Sequence, residues 1–136
     1  MFRMKPLLLL WLVGLAVVGT GAVPGHAEPS VELSGNRPLL VFVTQSNACE
    51  CVRNLCVAGE QEVINFLGDV GATIRYERVD LAKNPEAGKT YRAVTLPVVI
   101  LFDAPGQEIR RFDSFFTEDQ LAAVWQQHLA SQEGQP

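Results

Sequence analysis

The sequence predicts an α/β sandwich, a mixed four-stranded central sheet flanked by helices. Three observations carry this. Residues 39–43, LLVFV, are apolar at every position, the pattern of a strand covered on both faces. Residues 96–103, LPVVILFD, repeat that pattern and run through the turn APGQ into EIRRF (108–112), which completes a hairpin. Segments with helical spacing separate and follow the strands, so the order reads β, α, β, α, β, β, α.

Taken in order, the first strand leads straight into a cysteine-rich turn, SNACECVRNLCV (46–57). After it, VAGEQEVINFLGDVG (57–71) sets Val63, Ile64, Leu67 and Val70 at helical spacing, with Gly71 as a C-terminal stop. ATIRYERVDL (72–81) alternates weakly and reads as the second strand. AKNPEAGKTYRAV (82–94) is polar, begins with an Asn-Pro break and carries a short helix. The hairpin strands follow, the first entered through Pro97. The last element, TEDQLAAVWQQHLA (117–130), starts with a capping box of Thr117 and Gln120. It places Leu121, Val124, Trp125, His128 and Leu129 on one face.

The chain has 136 residues, enough for one domain. Its first stretch differs from the rest. Arg3 and Lys5 precede an uncharged run, Leu7 to Val23, and Gly25 and Ala27 supply small residues where a signal peptidase would cut. Residues 1–27 therefore read as a signal peptide, or else as a membrane anchor through residues 7–23. Both readings export the remainder, to a periplasmic or extracellular setting. Residues 28–37 read as a linker, 38–131 as the domain and 132–136 as a tail. Without residues 1–27 the net charge is about −6, a surface that repels phosphate backbones, so a nucleic-acid partner is not expected.

The cysteine turn after a buried strand and the Pro opening the third strand together resemble the thioredoxin family. VDLAKNPEAGKTYRAVTLPVVILFD is similar to the family's stretch in which a strand ends in Asp and an Asn-Pro opens a helix. A Tyr follows there, and an apolar residue and a cis-proline lead into an aliphatic strand. Here these are Asp80, Asn84, Pro85, Tyr91, Leu96 and Pro97. The resemblance covers residues 37–130. It implies that the cysteine turn sits at a helix N-terminus, where partial positive charge favours a thiolate. It also implies that Pro97 is cis, faces the cysteines and, with Leu96, offers backbone groups to an extended substrate.

The chain departs from the family at the thiols themselves. All three cysteines fall in the pattern Cys49-Glu50-Cys51, four residues, Cys56, with no Cys-x-x-Cys. The family's buried Asp has no counterpart in LLVFV. In an oxidising compartment such clustered thiols are not expected to stay idle. One reading is thiol–disulfide exchange by Cys49, Cys51 and Cys56 with exported thiol or disulfide proteins or small thiols, fed by a membrane electron donor. Within it Cys51 and Cys56 form the working couple, because a Cys49–Cys51 ring is tight. On a continuous helix that couple would need its first turn unwound. No cofactor is then required.

The other reading is capture of a soft metal or metalloid ion, arsenite, Cu(I) or Hg(II), by all three thiolates, without turnover. Arsenic metallochaperones of the same fold carry Cys-Cys-x4-Cys after the first strand, and Cys51 and Cys56 match the last two thiols of that motif. A third reading has the thiols merely packing or forming one stapling disulfide.

Overall fold

A computed structural model describes residues 35–134 of the chain. The leader and most of the linker lie outside the described residues. Among the described residues no helix is long and apolar enough to cross a membrane.

Strand β1 (Leu39–Thr44) is central, paired in parallel with β2 (Arg75–Asp80) and antiparallel with β3 (Val98–Phe102). Strand β4 (Glu108–Asp113) then pairs antiparallel with β3, giving the sheet order β2-β1-β3-β4. Helices α1 (Glu50–Val70) and α3 (Glu118–Glu133) share one face, and the short α2 (Ala87–Thr90) packs on the other. This is the mixed, helix-flanked sheet that the sequence predicts.

The uninterrupted apolar runs follow from burial on both sides. Leu40 and Phe42 of β1, with Val99 and Leu101 of β3, enter a core with Val63, Phe66, Leu121 and Trp125. Their alternates Leu39, Val41, Val43, Val98 and Ile100 enter a second core with Ala87 and Tyr91. Each large side chain fully buried in this way stabilises the fold by roughly 2–3 kcal/mol. The outer strands differ. Tyr76, Glu77 and Arg78 of β2 are exposed, and half of β4 is charged and exposed.

One end of each long helix follows the sequence pattern. Gly71 closes α1 with a φ of 61° and its amide bonded to the Leu67 carbonyl, a conformation that costs glycine least. The capping box opens α3: Gln120 N–H donates to Thr117 Oγ1 and Thr117 N–H to Gln120 Oε1. Three expectations are corrected. Helix α1 begins at Glu50 instead of Val57, because its buried stripe is Cys56, Gly59, Val63 and Phe66, and cysteine and glycine serve there as small apolar residues. Ile64 lies one residue off that stripe and is 52% exposed. In α3 only Leu121 and Trp125 are buried, His128 stacks on the Trp125 ring, and Leu129 faces solvent. The helix runs to Glu133.

Candidate functional site

The thiols lie where β1 hands over to α1. Five residues connect them, and the sequence pins this loop at both ends. Asp80, at the end of the neighbouring strand, accepts the Ser46 amide (2.9 Å) and the Ala82 amide (3.1 Å) on one carboxylate oxygen. Leu81 N–H bonds the Thr44 carbonyl, and Arg53 N–H bonds the Cys49 carbonyl to start the helix. These amides hold the Asp80 carboxyl below the usual range although its burial pulls the other way. Sequence reading matched Asp80 to a strand end but not to this task, which joins residues 34 positions apart.

The three cysteines divide two against one. Cys49 is the N-cap of α1 and Cys51 lies in its first turn; both are exposed, and their sulfurs are 2.8 Å apart, in hydrogen-bond contact as free thiols. Cys56 is buried, 4% exposed, on the face that carries Gly59 and Val63 into the core. The structure thus brings Cys49 and Cys51 together and separates Cys56 from them. Because α1 is unbroken from Glu50, the expected Cys51–Cys56 couple is not formed. A residue at i+5 stands about 7.5 Å along the axis and well round the helix.

The contact distinguishes the two exposed thiols. Hydrogen bonding from Cys51 lowers the pKa of Cys49, and the Val52 amide and others of the first turn act in the same sense. Cys49 makes no full side-chain capping bond, so this help is the electrostatic pull of nearby N–H dipoles. Cys51 is pushed up, first by its hydrogen bond to Cys49, then by burial and by the charge of Cys49. Neither Arg53 nor Glu50, the charges nearest in sequence, enters these shifts. The contact thus favours the thiolate at Cys49 over that at Cys51.

The Leu96–Pro97 peptide bond is cis. Pro97 is buried, Leu96 partly so. The Pro97 ring rests on α1 at Gly59, where an added Cβ would stand 3.0 Å from Pro97 Cγ and 3.0 Å from Phe116 Cζ. Contact with the helix is therefore made one turn beyond Cys56. Neighbouring groups steady this loop: Ser114 N–H donates to the Pro97 carbonyl (2.8 Å), and the Arg111 guanidinium donates to the carbonyls of Tyr91 and Arg92. Val94 and Phe115, on the segments flanking Pro97, are 92% and 75% exposed. For a soft ion the arrangement is less suited, since among the described residues no three Cys, His, Asp or Glu side chains are grouped to hold one.

No family model matches the chain, and no curated protein does. Solved structures do. A malaria-parasite thioredoxin-2, described as a component of the protein secretion machinery, superposes with a TM-score of 0.60 at 22% identity, covering 68% of this chain and 84% of its own. Chloroplastic thioredoxin z gives 0.58 at 16% identity, over 71% and 82%. Thioredoxin 1 from the thermophilic eubacterium Thermosipho africanus gives 0.57 at 19%, over 70% and 98%. The chain has the thioredoxin-like fold. On that fold it carries a Cys-x-Cys pair at the N-terminus of α1.

Proposed function

We propose that the protein is an exported thiol–disulfide oxidoreductase working through Cys49 and Cys51. The observation that carries this is the hydrogen-bonded contact of two exposed thiols at a helix N-terminus, one favoured as thiolate and the other as thiol. Exchange is reversible, and in its reducing direction the Cys49 thiolate attacks a partner disulfide, forms a mixed disulfide and expels one partner thiolate. Cys51, once deprotonated, attacks the Cys49 sulfur, closes the Cys49–Cys51 bond and releases the second partner thiolate. The two-electron change is complete without a bound cofactor. Leu96 and Pro97 are proposed to meet an extended partner, by analogy with the fold. The partners are exported disulfide or thiol proteins or small thiols, and export rests on residues 1–27, outside the described residues.

The test compares Cys49→Ser, Cys51→Ser and Cys56→Ser in a coupled exchange assay, alongside a mass-spectrometric thiol count with arsenite or Hg(II) added anaerobically. Exchange predicts loss with the first two variants and retention with the third. Uptake of one tightly bound ion per chain, lost equally in all three variants, would replace this reading with three-sulfur capture.

A further inference from the structure

We propose that the Cys49–Cys51 pair is a disulfide donor, so that its partners are reduced protein dithiols awaiting oxidation. This inference deepens the exchange reading above and rests on it.

The direction of exchange follows from which form of the pair the protein holds more tightly. In the reduced form the two exposed sulfurs share a hydrogen bond at 2.8 Å at the N-cap and first turn of α1, where the N–H dipoles favour charge on the Cys49 sulfur. Oxidation removes all of this, because a disulfide sulfur carries no charge and is a weak acceptor. The oxidised form must also close the shortest ring that two non-adjacent cysteines can make, across the N-cap and first turn of a helix. That ring has little room to relax. On one side the Ser46 amide is held by Asp80, and on the other the Arg53 amide is held by the Cys49 carbonyl. Nor is the bond sheltered, since both cysteines are exposed. A couple whose dithiol is stabilised and whose disulfide is confined and exposed is an oxidant.

The chemistry balances as follows. A partner thiolate attacks the Cys49 sulfur of the oxidised pair; the Cys49–Cys51 bond breaks and Cys51 leaves as a thiolate, then takes a proton. The partner's second thiolate attacks its own sulfur in the mixed disulfide, and Cys49 leaves as the thiolate its surroundings favour. The partner has lost two electrons and the pair has gained them. A low-molecular-weight disulfide, reduced in turn to two thiols, restores the pair.

The experiment equilibrates the full chain with reduced and oxidised glutathione over a range of ratios at pH 7. The samples are quenched with acid, the free thiols are alkylated, and the Cys49–Cys51 bond is quantified by mass spectrometry. A Cys-x-x-Cys thioredoxin runs alongside. At the ratio where half of the thioredoxin is oxidised, no more than about one molecule in eleven of this protein should carry the bond, an equilibrium displaced at least tenfold toward the dithiol. Separately, the oxidised chain should pass its disulfide to a reduced peptide dithiol in a single turnover. A pair oxidised as readily as the thioredoxin overturns the donor assignment and leaves the exchange reading standing. Failure to form a Cys49–Cys51 bond at any ratio overturns both.

Discussion

Helix α1 holds cysteines in two settings, and their difference explains why three thiols do not make one site. At its N-terminus Cys49 and Cys51 meet water, backbone amides and each other. Two turns on, Cys56 meets the core beside the stripe of Gly59 and Val63. The residue type is the same, while exposure and position along the helix differ. Reactivity follows the setting, since a thiol at an exposed N-cap is stabilised as an anion and a thiol in a core behaves as a small apolar side chain.

The sharpest way to break this comparison is Cys49→Ser, which should reduce exchange to background with unchanged circular dichroism. A variant that keeps a substantial fraction of the rate would move the nucleophile elsewhere. Next comes the buried setting. Gly59→Val places a branched side chain where even a Cβ meets Pro97 and Phe116 at 3.0 Å, and should cost about 2–3 kcal/mol in urea unfolding. The thiols of the variant, assayed where it is folded, should react as before. Asp80→Asn should cost about 1–2 kcal/mol at pH 7 by weakening the bonds that pin the cysteine loop. Because the Asp80 carboxyl titrates below its ordinary range, its contribution is present above about pH 4 and fades as the pH falls through the lowered value. The penalty measured by unfolding at pH 7 should therefore shrink at pH 3.

Smaller effects separate the members of the pair. Cys51→Ala removes the S–H that stabilises the Cys49 thiolate, so alkylation of Cys49 at pH 7 should slow several-fold. An unchanged rate would transfer that stabilisation to the helix amides alone. Cys56→Ala should cost only about 1 kcal/mol and leave exchange intact. Loss of exchange in this variant would return the third thiol to the chemistry.

Much of this architecture can be read from local pattern. The LLVFV run needs cover on both faces, and the structure supplies it with two cores. Thr117 and Gln120 lie three apart and cap α3 as that spacing demands. What local pattern misses is contact made over distance. The start of α1 at Glu50 was hidden because cysteines and a glycine occupy its buried stripe, and they carry a weak periodic signal. The hold of Asp80 on Ser46 joins two strand ends that become neighbours only when β1 and β2 pair. The partition of the cysteines was hidden for the same reason. Spacing alone allowed Cys51 and Cys56 to meet, and the unbroken helix puts one outside and the other in the core.

The outer strands carry a consequence for the company the protein keeps. Arg75, Glu77 and Arg78 line β2, while Glu108, Arg110, Arg111 and Asp113 line β4. Rows of mixed charge along both edges make poor templates for the addition of another strand. A protein that trades disulfides with chains still short of their native state meets many loose strands in search of an edge. On the donor proposal, it would hold such chains by sulfur alone, its charged edges offering their strands little to pair with.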